Sequence, residues 1–205
     1  MKLYLSSYGI GDKAGTLKAW VPGGQIGYVP NALDFPGADP DRRSKHIERD
    51  CESLQQLGLT ASLIDLRGYF GHGQALRNRL SDFKAVFVTG GNVFVLRQAM
   101  KLSGLDAILW DWRERADFLY AGYSAGGCVL APHLKVYESV DARSTPYQDL
   151  QEVVCDGLGI VDFAMMPHWN SDHPESAAIG QAIAYCQQHH IAYRAISDGE
   201  VITVE

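Results

Sequence analysis

Apolar and polar positions along this chain switch repeatedly between two periods. Leu3 to Ser7, Gln25 to Pro30, Thr60 to Leu66, Lys84 to Thr89 and Phe118 to Tyr123 are short, mostly apolar runs closed by glycine, proline or polar residues, the pattern of strands. Between them the period lengthens. Pro40 to Leu57 carries Ile47, Cys51, Leu54 and Leu57 at helical spacing, with charged and polar residues in between. Asp39 followed by Pro40 supplies a cap and a proline in the first turn, and Gly58 ends the helix. Shorter helices are predicted over Gln74 to Leu80, Val93 to Lys101 and Leu105 to Arg115. The pattern loosens between His133 and Gly157, where irregular structure or short strands are expected. Val161 to Pro167 then reads as a late strand and His173 to His190 as a helix. Ala192 to Ser197 and Val201 to Glu205 read as two closing strands around Asp198-Gly199, a hairpin-type dipeptide.

Strand–helix alternation of this kind predicts an α/β fold: a mostly parallel sheet with helices on both faces, which is why the strands are near-continuous apolar runs. No internal repeat, low-complexity segment or linker interrupts it, so residues 1–205 read as a single domain, long enough for a sizeable core. The net charge of −6, with no basic block or stripe, argues against nucleic acid as the main partner. No apolar run approaches the length of a membrane span, and Met1 to Ser7 starts directly as a strand without the features of a signal peptide. A cytoplasmic protein without membrane partners is expected. Cys51, Cys128, Cys155 and Cys186 form no C-x-x-C pair and read as free thiols.

One stretch carries chemistry. Phe118 to Ala131 is an apolar strand, a serine between two glycines and a helix start, and Gly122-Tyr-Ser124-Ala-Gly126 fits the G-x-S-x-G pattern of a nucleophile elbow. In an open parallel sheet, ligands bind at the carboxyl ends of the strands. Residues just beyond the predicted strands are Ser6-Ser7, Pro30-Asn31, Gly90-Gly91-Asn92, Ser124, His168 and Asp198. A serine hydroxyl needs a base, and His168 suits that role. An acid on the far imidazole nitrogen would fix its tautomer. Asp198 is the first choice, with Glu200 and the acids Asp141, Asp149 and Asp156 of the loose region left open. The N–H groups of Ala125 and Gly91 are candidate donors to an oxyanion, glycine allowing close backbone approach. Gly90 and Asn92, on the same turn, are candidate substrate contacts.

Other groupings carry less. His168, Asp172 and His173 follow no standard metal-ligand spacing and read as a solvated loop. Gly68 to Gly73 is glycine-rich but lacks the lysine of a P-loop, and reads as a loop near the site. Cys128, one helical turn past Ser124, reads as core, as does at least one of Trp110 and Trp112.

Four segments in order resemble the peptidase E family of serine peptidases: Val88-Thr-Gly-Gly-Asn92-Val-Phe-Val-Leu96, Ala121-Gly-Tyr-Ser124-Ala-Gly126, Met166-Pro-His168-Trp169 and Ile196-Ser-Asp198-Gly199-Glu-Val-Ile202. The resemblance runs over nearly the whole chain. It implies a three-layer α/β/α fold like that of class I glutamine amidotransferases, of flavodoxin-like type. It further implies hydrolysis of short peptides through an acyl-enzyme, with Ser124 as nucleophile, His168 as base, Asp198 as acid, and Gly91 and Ala125 as oxyanion hole. No metal or organic cofactor is implied. The aspartyl dipeptidases of this family carry an arginine after the histidine that is thought to read the substrate carboxylate; Trp169 to Tyr185 holds no Arg or Lys. The chain also stops sooner after its acid segment than those longer enzymes, and so is more similar to the family's shorter members. Two other readings stay open: an amidase or amidotransferase-like hydrolase, against which Ser124 counts because that class uses cysteine at the elbow, and a non-catalytic binding domain. Oligomeric state, monomer or homodimer, is open too.

Overall fold

The computed structural model describes residues 1–35, 39–144, 146–147 and 152–205. Six strands form the main sheet: β1 (Lys2–Ser6), β2 (Gln25–Val29), β3 (Thr60–Leu63), β4 (Ala85–Val88), β5 (Leu119–Tyr123) and a last one, Val201–Val204. The order is β3-β2-β4-β5-β1 followed by Val201–Val204, which alone runs antiparallel. β4 and β5 are buried throughout, as both-face coverage requires, whereas β3 at the edge is half exposed.

Helices cover both faces. On one side lie α1 (Ala14–Ala19) and α2 (Pro40–Gln56), whose Leu17 and Leu54 pack against Tyr4, Ile26, Tyr28 and Phe87 of the sheet. The Asp39 side chain caps α2 by accepting the Asp41 N–H at 2.9 Å. On the other side lie α3 (Gly73–Leu80), α4 (Val93–Ser103), α5 (Leu105–Trp112), α6 (Ala125–Cys128) and α7 (Ser176–Gln188), packed into the larger core. Layers of helix, sheet and helix bear out the α/β expectation. Among the described residues no helix is long and apolar enough to cross a membrane.

The closing segment departs from expectation. A second, two-stranded parallel sheet pairs β6 (Ala164–Met166) with β7 (Tyr193–Ala195), while β8 (Val201–Val204) leaves to pair with β1. Asp198-Gly199 therefore does not close a hairpin. Gly199 takes a left-handed φ of 99° and turns the chain, but the strands on either side of it belong to different sheets. A turn dipeptide sets a change of direction; the hydrogen-bond partners come from whichever edge is free. The helix after Ser124 is also brief, four residues, and the described residues between His133 and Gly157 are irregular apart from one 3₁₀ turn at Lys135–Tyr137 and a bridge between His133 and Asp156.

Candidate active site

The register of the sheet brings the chemistry to one edge. Ser6 lies beside Tyr123, and Val88 beside Gly122, so the residues after β1, β4 and β5 leave the sheet together. Ser124 follows β5 with φ 46° and ψ −118°, a conformation that costs an L-residue about 1–3 kcal/mol. The flanking glycines are what let the chain fold back so tightly. A Cβ on Gly122 would stand 2.7 Å from the Gly126 oxygen, and one on Gly126 would stand 2.3 Å from the Val88 oxygen. The Ser124 N–H donates to Ser6 O at 3.2 Å.

His168 follows β6, buried and with a left-handed φ of 59°. Its Nε2 lies 3.1 Å from Ser124 Oγ and its Nδ1 2.7 Å from Asp198 Oδ1. His168 and Asp198 follow β6 and β7 of the small sheet, not strands of the main sheet. Burial pushes the imidazole below its ordinary value, and His173 adds to this, while the hydrogen bond to Asp198 pulls the other way. Among the described residues none of the other acids left open from sequence bonds to His168 Nδ1. Glu200 accepts the Ser197 N–H at 2.6 Å, and Asp156 is exposed beside His133. Asp141 accepts the Val93 N–H at 2.7 Å. Asp149 lies outside the described residues.

Gly91 has φ 138°, and a Cβ there would stand 2.3 Å from the Ala32 oxygen. Among the described residues neither the Gly91 nor the Ala125 N–H finds an acceptor. Gly90 lines the cleft beside the Tyr123 ring. Asn92 lines it too, with most of its side chain engaged: Oδ1 caps α4 through the Phe94 and Val95 N–H groups, both at 3.0 Å, and one Nδ2 hydrogen is donated to Ala142 O at 2.9 Å.

The cleft above Ser124 has a volume of about 410 Å³. Of its walls, Glu175, Arg42, Arg43 and His46 were not named from sequence, and Asp141 was named only among the acids left open for His168. Asp141 and Glu175 bring two acids, and burial together with Glu175 pushes the Asp141 carboxyl up to about 7 against the pull of Val93 N–H. Arg42, Arg43 and His46 of α2 line the cleft too. Arg43 is held by Asp34 at 2.8 Å, whereas Arg42 makes no ion pair among the described residues. The cationic side chains lining the cleft thus come from α2. The start of α2 follows β2, at the same edge as the other strand-end loops, and that was the available signal. Gly68 to Gly73 does not line the cleft. Cys128 is buried, as is Trp112, with Trp110 exposed.

His168, His173 and Glu175 bring three ligand-type atoms within 4.8 Å of one another, a grouping that includes Glu175 and not Asp172. The two imidazoles stack at 3.7 Å and 12°, so their in-plane lone pairs run side by side instead of converging. Tetrahedral coordination by both rings needs converging lone pairs.

This is an α/β protein with a strained serine at a strand-to-helix turn, hydrogen-bonded to a histidine that is hydrogen-bonded to an acid. The chain belongs to Peptidase family S51, whose sequence model matches residues 22–205. A protein of Listeria innocua named an uncharacterized peptidase is 32% identical over 62% of this chain and 57% of its own length. Peptidase E of Streptomyces coelicolor is 31% identical over 81% of this chain and 60% of its own. The chain therefore spans less than two thirds of these relatives. Among solved structures, a candidate peptidase E protein from Listeria monocytogenes superposes with a TM-score of 0.74 at 22% identity, covering 100% of this chain and 98% of the other. A peptidase from an acI-B1 actinobacterium gives 0.72 at 15% identity, covering 100% and 83%. At these identities the likeness is one of fold.

Proposed function

We propose that this chain is a serine peptidase that hydrolyses short peptides in the cleft above Ser124, carried by one α/β domain. The hydrogen-bonded run from Ser124 Oγ through His168 to Asp198, at 3.1 and 2.7 Å, is the observation that supports the reading. Asp198, as a carboxylate, can only accept, so His168 carries its proton on Nδ1 and offers a bare Nε2 to Ser124. Nε2 takes the hydroxyl proton as Oγ attacks the peptide carbonyl, then gives it to the leaving amine. The Gly91 and Ala125 N–H groups, without other acceptors among the described residues, receive the oxyanion. Water then attacks the acyl-serine by the same route. A cleft of about 410 Å³ suits a small ligand more than a folded chain. Arg42 is the cation that a substrate carboxylate meets.

The test is covalent. A fluorophosphonate probe is expected to label Ser124, located by mass spectrometry, and Ser124→Ala is expected to abolish the adduct. Labelling that survives in the variant, or none in the wild type, overturns the reading. A dipeptide panel then reports which peptides are cleaved.

A further inference from the structure

The three segments of the relay meet at the end of β1. Ser6 O accepts the Ser124 N–H at 3.2 Å. Ser7, the next residue, donates its N–H to Glu200 O at 3.1 Å, which ties down the loop carrying Asp198. Its hydroxyl makes two further bonds: it donates to Asp198 Oδ1 at 2.7 Å and accepts the backbone N–H of His168 at 2.7 Å. Ser7 is fully buried, so water does not compete for either. We infer that Ser7 is a positioning residue of the relay, one hydroxyl holding both the Asp198 carboxylate and the His168 backbone in register with Ser124. Its effect on rate rests on the peptidase reading; its geometry does not.

The proton count supports this. A backbone N–H can only donate, so His168 N occupies a lone pair of Ser7 Oγ. The single hydroxyl hydrogen is then directed to Asp198 Oδ1, which also receives the imidazole Nδ1–H at 2.7 Å. Two donors converge on one carboxylate oxygen and lock its rotation, although the Asp198 side chain is 29% exposed and could otherwise turn to water. His168 also sits at φ 59°, where an L-residue needs its neighbours to hold it. Without the hydroxyl, His168 N–H is buried and unpaired, and the carboxylate puts more of its charge on the imidazole. The other charged or titratable groups around His168 are Glu175, 4.0 Å from Nε2, His173 stacked on the ring, and Tyr8 edge-on to it, none of which is bonded to the Ser7 hydroxyl.

Ser7→Ala in the full chain tests the inference with two readouts. Labelling of Ser124 by the fluorophosphonate probe should slow by about ten- to a hundredfold, the scale of one hydrogen bond to a charged group. In an NMR titration the His168 midpoint should move up, because its carboxylate has lost a competing donor, while the remote histidines titrate as before and report an intact fold. Unchanged labelling and an unchanged His168 midpoint overturn the inference. Slower labelling with an unchanged midpoint overturns it equally, leaving Ser7 a packing residue. If wild-type Ser124 is not labelled at all but the His168 midpoint still responds to Ser7→Ala, the peptidase reading fails and the positioning role stands.

Discussion

Asp141→Asn is expected to stabilise the protein, and to do so more as pH rises. Asp141 lines the cleft beside Glu175, and burial raises its carboxyl from 3.8 to about 7. A folded-state value above the unfolded one means that the native chain holds this proton longer. Stability is therefore greatest below the unfolded value and is lost as pH climbs through the window to about 7. The whole window, 7 less 3.8, is about 3 pK units, or roughly 4 kcal/mol at about 1.4 per unit as a ceiling. From about pH 5 upward some two units remain, and the open cleft lets water offset part of the cost, so a gain of about 2 kcal/mol is expected by about pH 8. Asparagine keeps an oxygen for the Val93 N–H, now accepted at 2.7 Å, and carries no charge. The assay is urea denaturation of both chains near pH 5 and near pH 8, with equal m-values confirming the same unfolding reaction. A gap between variant and wild type that is the same at both pH values, or that closes on the alkaline side, would refute the reasoning.

Gly91→Ala should lower kcat by about 10²–10³ with a smaller effect on KM, since a Cβ meets the Ala32 oxygen at 2.3 Å and must displace the N–H offered to the oxyanion; steady-state kinetics on any cleaved dipeptide check this. The acid limb of kcat/KM should fall below about 6.5, the ordinary histidine value, because burial and His173 lower His168. It is best measured in Asp141→Asn, where the neighbouring carboxyl no longer titrates; a limb above the ordinary value would contradict the lowered base. Arg42→Gln should raise KM for carboxylate-bearing dipeptides by about tenfold, the scale of one charged contact, with kcat nearly unchanged; equal KM values for acidic and amidated substrates in both chains would remove Arg42 from recognition.

Much of this was legible before any tertiary structure. Pro40–Gln56 is a helix capped by Asp39, and β4 and β5 are buried strands, because local period and capping chemistry suffice to specify them. Gly122 and Gly126 around Ser124 were readable because only glycine fits where backbone crosses backbone. The partners of the last strands were not. Val201–Val204 and Tyr193–Ala195 are separated by a turn dipeptide, yet one pairs with β1 and the other with β6, a choice made by edges far away in sequence.

The order of strands and helices and the elbow at Ser124 follow from the sequence by itself, since each depends on neighbours a few residues apart, whereas for the acid beside His168 the sequence offered only a short list. Tertiary structure alone brought Asp198, and not Glu200, Asp141 or Asp156, against His168 Nδ1, put Arg42 in the lining of the cleft and set Ser7 between Asp198 and His168. Those outcomes depend on distances between segments up to 191 positions apart, and a hydrogen bond of 2.7 Å leaves no trace in the local pattern of either end.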